Sequence, residues 1–279
     1  MMIALHAWRS RDASVRFKAE FPDRPLVVVL TGTDIYQFRI SHPKETDQCI
    51  DLADVLVGLH RQVARDLPDR FHEKLLTVLQ SAADPLPRRL PADDCFEVCV
   101  IGHLRKEKDS LRAALAARLL PPESSIRIVQ AGRAHDENWA TMARQEAAHS
   151  PRYQWLGELD RSGIRELMAR ARLMVISSLM EGGANVVSEA CRAGLPVLAS
   201  DIAGNRGLLG DCYPGYFAVG DEEDLARCLR KAEICPEFLA SLQQGVARQA
   251  GNFVPAAEQS ALTRVIDYAL SVTGSISSP

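Results

Sequence analysis

Residues 173–199 constrain the fold more than any other stretch of this chain. Leu173-Met-Val-Ile-Ser177 is short, apolar and partly β-branched, the signature of a strand buried in a parallel sheet. Gly182 and Gly183 follow, where the backbone can turn sharply and let a ligand approach. From Asn185 the period becomes helical, with Val186, Val187, Ala190, Cys191 and Ala193 on one apolar face. Gly194 ends that helix, Pro196 keeps it from resuming, and a second apolar run starts at Pro196-Val-Leu-Ala199. Strand, turn, helix and strand in this order belong to an open parallel α/β sheet, which takes ligands at the carboxyl ends of its strands.

The same alternation runs the length of the chain. Strands are expected at residues 2–5, 26–31, 55–59, 75–79, 98–102, 126–131, 153–156, 173–177, 197–200 and 216–219. Helices are expected at 10–21, 109–119, 137–149, 162–171, 185–193 and 221–231, with one more at 256–272. Repeated β–α units imply parallel sheets covered on both faces. At 279 residues the chain exceeds the roughly 100–200 residues of one domain. Residues 82–94, Ala-Ala-Asp-Pro-Leu-Pro-Arg-Arg-Leu-Pro-Ala-Asp-Asp, carry three prolines and mixed charge, the composition of a linker. The expected architecture is two doubly wound domains across a cleft: 1–92, joined by the helix at 255–273, and 93–254. A Ser/Gly-rich tail closes the sequence. Because the chain opens directly on a strand, the first domain is expected either to lack a leading β–α unit or to borrow cover from a partner in a homodimer.

Composition excludes several function classes. A net charge of −3 and a pI near 6.2 argue against bulk nucleic-acid or anionic-membrane binding. No apolar run reaches the ~20 residues of a membrane span, and no basic leader precedes the first strand. The seven cysteines form no C-x-x-C pair and lack zinc-finger spacing, so reduced thiols in a cytoplasmic protein are expected.

Glu181 and Glu189 flank the Gly-Gly turn. Free amides of Ala184, Asn185 and Val186 at the helix start attract an anion. Glu189, about one turn inside the helix, can accept two bonds from a vicinal diol, while Glu181 lies across the anion position. The plain alternatives are a solvated loop acid for Glu181 and a dipole-stabilising acid for Glu189. The strand–Gly-Gly–helix context favours a phosphate-and-sugar site.

With those residues in place, the block Glu181–Glu189 resembles the nucleotide-sugar-dependent glycosyltransferases of the GT-B fold with an E-x7-E motif. Gly102-His-Leu-Arg-Lys-Glu-Lys-Asp109 resembles their G-R-L-x-x-x-K-G/D loop. Trp155-Leu-Gly157, Gly194-Leu-Pro-Val197, Ser200-Asp-Ile-Ala-Gly204 and Asp221-Glu-Glu-Asp-Leu225 resemble the further elements. The first half, through Leu5-His-Ala-Trp-Arg-Ser10, Leu26-Val-Val-Val-Leu-Thr-Gly-Thr-Asp34-Ile-Tyr36 and Leu79-Gln-Ser-Ala82, is similar to the selenosugar synthases of the selenoneine pathway. That resemblance implies transfer of a sugar, chiefly N-acetylglucosamine, from a UDP-sugar to selenophosphate or another small acceptor. An ordinary transfer to a saccharide or lipid, and a non-catalytic nucleotide-sugar binder, stay open beside it.

The resemblance assigns Lys108 to the donor diphosphate, with His103 at the usual arginine position and Arg105 as a substitute cation. Gly183, Ala184, Asn185 and Val186 would contact phosphate and sugar, and Glu189 the uridine ribose. Asn185 reads equally as a helix N-cap, and Lys108 as a solvated helix-start lysine. Glu181 is assigned to donor-sugar hydroxyls or to charge developing near the anomeric carbon. No D-x-D precedes a Gly-rich loop, so neither metal nor other cofactor is implied. On the acceptor side, His6 is expected to act as general base or to orient the acceptor. Arg9 suits an anionic acceptor. Ser10 serves the acceptor or caps the following helix. Thr31, Gly32, Thr33 and Asp34 could form an oxyanion nest, with Asp34 equally a turn former.

Overall fold

A computed structural model describes residues 1–84 and 88–274. Two parallel sheets form, as the strand pattern predicts. The first has order β1-β2-β3-β4: β1 (Met2–Leu5), β2 (Leu26–Val29), β3 (Val55–Gly58) and β4 (Leu75–Thr77). The second has order β10-β9-β8-β5-β6-β7: β5 (Phe96–Ile101), β6 (Ile126–Ala131), β7 (Tyr153–Trp155), β8 (Leu173–Ile176), β9 (Val197–Ser200) and β10 (Tyr216–Phe217). Every pairing is parallel, so all active loops of one sheet leave from a single edge.

Around the first sheet lie α1 (Arg11–Glu20), a π-helical turn Asp34–Phe38 that runs into the single turn α2 (Arg39–Ser41), and α3 (Pro43–Leu52). Around the second lie α4 (Arg112–Arg118), α5 (Glu137–His149), α6 (Arg161–Arg170), α7 (Asn185–Ala193), α8 (Ala203–Leu209), α9 (Glu222–Ile234) and α10 (Pro236–Gln249). The last helix, α11 (Pro255–Gly274), returns to the first sheet. There Ala261, Val265 and Ala269 pack on Val27, Val55, Val57 and Val78. Burying one such valine contributes about 1.5–3 kcal/mol, so this helix is a structural wall of the first unit.

Three corrections to the sequence reading have local causes. The helix expected from residue 109 begins at Arg112, because Asp109 adopts φ 45° and ψ 49°, a left-handed conformation that no α-helix accommodates. Residues 31–34, expected as a strand end forming an oxyanion nest, lead into the π-helical turn that carries Asp34 inward. In α7, Ser188 is buried while Val186 is only partly so. The helix stops as expected: Gly194 is left-handed, and the amides of Gly194 and Leu195 close on the carbonyls of Cys191 and Ala190.

Of the expected linker 82–94, residues 85–87 lie outside the described residues, as does the tail beyond 274. The linker's second half is pinned to the end of α6. Leu90 and Ala92 amides donate to Ala169 and Arg170 carbonyls at 2.8 and 2.9 Å, and Arg89 donates to Ala171 at 2.6 Å. All seven thiols are free, with Cys49, Cys95, Cys99 and Cys191 buried and Cys212 exposed. No helix among the described residues is long and apolar enough to cross a membrane.

The carboxyl edges of the two sheets meet. Gly32, after β2, lies backbone to backbone on Glu181 and Gly182, after β8. A Cβ on Gly32 would stand 2.5 Å from the Gly182 nitrogen and 2.9 Å from the Glu181 carbonyl carbon. A second contact holds the far side, where Gln62 reaches Asp211 at 2.5 Å and the Arg61 amide reaches the Gly207 carbonyl at 3.3 Å. Gly32→Ala is therefore expected to separate the two units without unfolding either. Small-angle scattering should show a larger radius of gyration at unchanged circular dichroism; a scattering curve superimposable on the parent's would refute the closed contact.

Candidate functional site

The site forms where the loops after β1, β2, β5 and β8 converge. Ser177, at the end of β8, donates to the carbonyls of Lys108 and Asp109 at 3.2 and 3.0 Å, and the Leu179 amide donates to Glu107 at 2.9 Å. These bonds stitch the loop after β5 to the loop after β8. Lys108 ends a short 3-10 turn, Lys106–Lys108. It is not a solvated helix-start lysine: its ammonium donates to the Glu181 carboxylate.

Glu181 is only 7% exposed, so it is not a solvated loop acid. The oxygen that takes Lys108 also accepts from Ser178 at 2.6 Å. Ser178 in turn is held by its carbonyl, which accepts from Ser200 at 2.6 Å, and Ser200 by Asn205. Residues Ser178, Ser200 and Asn205 escaped sequence reasoning. Their order in Ser-Asp-Ile-Ala-Gly204-Asn205 carries no hint that β9 props the β8 loop.

At the start of α7, Ala184 occupies the N-cap position with no side-chain cap, and Asn185 is the first helical residue. Asn185 is therefore not the N-cap, and the helix's first amides are not capped by a side chain. Beside them opens a cavity of about 390 Å³. Asn185 and Glu189 line it from α7, Arg161, Ile164 and Arg165 from α6, and Ser81 and Ala82 from the segment after β4. Burial pushes the Glu189 carboxyl above its usual range, and Arg161 and Arg165 oppose that shift. The two arginines were not anticipated. Only the closure of α6 against α7 brings them to Glu189.

The remaining donor-side candidates scatter more. His103 is exposed, and its Nδ1 accepts from the Arg133 amide at 3.2 Å. Arg105 reaches Glu107 at 3.4 Å, while its Nε is buried with no hydrogen-bond partner among the described residues. Gly183 lies against Leu59 and Gln80 of the first unit. Val186 is half-buried against the second core. Among the described residues no group of three or more His, Cys, Asp or Glu is placed to hold a metal ion.

Across the cleft, His6 is 7% exposed and has φ 72°. Its Nε2 is 3.0 Å from Thr33 Oγ1 and its Nδ1 is 2.5 Å from Asp34 Oδ1. Asp34 is fully buried and accepts from the Thr31 amide at 2.9 Å, the Thr31 hydroxyl at 3.1 Å and the Trp8 amide at 3.2 Å. The nest expected over Thr31–Asp34 is thus filled at Thr31 by the chain's own carboxylate, and Asp34 is out of reach of a ligand. Ser10 stands at the N-cap of α1 but gives no cap bond; its hydroxyl donates to the Leu5 carbonyl at 2.7 Å. Arg9 is exposed, and its guanidinium forms no ion pair or hydrogen bond with another described residue.

Residues 63–249 match the family described as "Glycosyl transferases group 1". A putative glycosyltransferase EpsD of Bacillus subtilis (strain 168) is 30% identical over 166 residues. That match spans 58% of this chain and 42% of EpsD, so the chain covers less than half of this curated relative. Anabaena HepE, solved with UDP-glucose, superposes with a TM-score of 0.77 at 16% identity, covering 96% of this chain and 78% of that one. Sucrose-phosphate synthase of Thermosynechococcus elongatus gives 0.78 at 16% identity over 97% and 73%. At such identities the likeness to the solved structures is one of fold: two Rossmann-like sheets in the GT-B arrangement.

The Glu189 carboxyl also yields a stability test. A folded-state value above the unfolded one means that the folded chain binds the proton more tightly. Its contribution to stability is then greatest below the ordinary carboxylate range and falls as pH rises through the folded value. Glu189→Gln should be at least as stable as the parent at pH 7 and should lose part of the pH dependence that begins in the ordinary carboxylate range and extends above it. Urea unfolding at several pH values checks this; a variant that is less stable at pH 7 would reverse the sign.

Proposed function

The chain belongs to the group 1 glycosyl transferases, and on that footing we propose that it moves a sugar, N-acetylglucosamine in the first instance, from a UDP-sugar to selenophosphate. The observation that carries the donor half is the cavity beside α7, with Glu189 on its wall and an uncapped helix start at its mouth. A uridine would occupy the cavity, with both ribose hydroxyls donating to Glu189. The diphosphate would sit on the amides of Ala184, Asn185 and Val186, where the helix dipole favours an anion.

Lys108 gives this site a switchable partner. Lys108 neutralises Glu181. A bound diphosphate offers the ammonium a stronger anion, and negative charge grows there as the sugar–phosphate bond breaks. Lys108, with Arg105, would then stabilise the departing UDP, and the reading needs no metal. The released Glu181 carboxylate would face the sugar, where it can take a hydroxyl or stabilise positive charge at the anomeric carbon.

The acceptor half rests on the resemblance of the first 82 residues to selenosugar synthases and on Arg9. An exposed guanidinium near the cleft suits a bidentate contact to a phosphate-like group. The other partners expected of this chain stand at the same level: a small acceptor rather than nucleic acid or membrane, a cytoplasmic setting, and a homodimer through the first unit.

The deciding experiment mixes the protein with UDP-N-acetylglucosamine and selenophosphate and follows products by mass spectrometry. A selenosugar phosphate or selenosugar with release of UDP is expected. Transfer to a saccharide or lipid alone would move the reading to an ordinary glycosyltransferase, and UDP binding with no transfer to any acceptor would make the chain a binder. Glu189→Ala should weaken UDP binding by roughly tenfold or more, from the loss of hydrogen bonds to a charged group worth about 1.5–3 kcal/mol. Undiminished UDP affinity would sink the ribose assignment. Arg9→Ala should raise the acceptor KM about tenfold or more while leaving UDP affinity unchanged.

A further inference from the structure

His6 is one of two non-glycine residues with positive φ among the described residues, and it is held there from every side. Its amide donates to Val29 at 3.0 Å, its carbonyl accepts from the Ser10 amide at 3.0 Å, and its ring meets Phe38 edge-on at 5.3 Å. Strained backbone of this kind persists where the surroundings over-determine it, and it clusters at functional sites.

The protons can be placed. Asp34 accepts only, so the Nδ1 atom 2.5 Å from its Oδ1 carries hydrogen. The Arg9 amide lies 3.3 Å from the same Nδ1; the shorter contact to a carboxylate decides, and the amide is then a neighbour rather than a donor. Burial lowers the His6 pKa; Asp34 opposes this, and Arg9 reinforces it. The ring is therefore neutral at pH 7, with a lone pair on Nε2 that accepts the Thr33 hydroxyl. The Thr31 hydroxyl donates to Asp34 Oδ2. Arg9, on His6's own loop, and Asp34, after β2, are the charged groups that bear on the ring.

We propose that Thr33, His6 and Asp34 form a proton relay that deprotonates the acceptor. His6 is too buried to meet the acceptor itself, whereas Thr33 lies one residue from the contact with Glu181 and Gly182. As the acceptor's proton passes to Thr33 Oγ1, the Thr33 proton passes to His6 Nε2. The electron pair left on the acceptor atom forms the bond to the anomeric carbon. The bond from that carbon to the donor phosphate oxygen breaks, and its pair leaves with UDP. Thr33 is the catalytic residue here; Asp34 is a positioning residue that fixes the tautomer and stabilises the imidazolium. The relay rests on the transferase reading and narrows its acceptor. The two threonine hydroxyls have their protons committed, so they offer lone pairs, and an acceptor that retains a proton at neutral pH fits them. A hydroxyl meets that condition, because the atom that loses the proton is the one that bonds the anomeric carbon; selenophosphate meets it when the proton sits on selenium.

Two measurements test the relay. Nitrogen NMR of the full chain labelled at its seven histidines, with His6→Asn to assign the signal, should show His6 as the Nδ1–H tautomer at pH 7. An Nε2–H tautomer overturns the relay whatever the activity. In transfer assays, Thr33→Val should lower kcat by about 100-fold or more with UDP-sugar affinity unchanged, Thr33→Ser should restore it, and Asp34→Asn should shift the acidic limb of the pH profile. Transfer at the parent rate in Thr33→Val overturns the relay alone. Absence of transfer by the parent with every acceptor overturns the transferase reading and the relay's role with it.

Discussion

The Glu181 carboxylate is the point on which the cleft depends. It is buried, it neutralises Lys108, it takes the Ser178 hydroxyl, and its backbone carries the Gly32 contact from the other unit. Removing one partner from a buried ion pair costs about 3–5 kcal/mol, because the other charge is left without compensation. A ligand that supplies a replacement charge avoids that cost. The ion pair and the contact between the two units share one loop.

The two sides of the cleft differ in kind. One side is a cavity with a helix start, two arginines and one carboxylate whose pKa is raised by burial. The other side, the loops after β1 and β2, is already satisfied. Asp34 fills the Thr31 amide and hydroxyl, Thr33 fills His6, and only the Arg9 guanidinium faces outward without a partner among the described residues.

The strands were legible because each is a short apolar run between turn residues, and three of them, 2–5, 126–131 and 197–200, match the expected limits in full. Helices built on small or polar residues were not. Ala203–Leu209 contains two glycines, and Pro43–Leu52 buries only Thr46, Cys49 and Ile50. Within the site, sequence order revealed the Glu181–Glu189 block because local periodicity fixes it. The Lys108–Glu181 pair spans 73 residues and the His6–Thr33 bond 27, and no local pattern reports either. Asp34 misled for a related reason: the sequence gives its polarity, and only the π-helical turn shows that it points inward.

The return of α11 to the first sheet has a consequence for synthesis on the ribosome. Val27 and Val55 emerge early, yet the helix that covers them begins at Pro255. At translation rates of about 5–20 residues per second, that face of the sheet waits on the order of tens of seconds for its cover. During that interval an apolar parallel sheet stands open beside the growing chain. The second unit, whose strands and helices are continuous in sequence, can close first. Completion of the first unit therefore waits on the last helix.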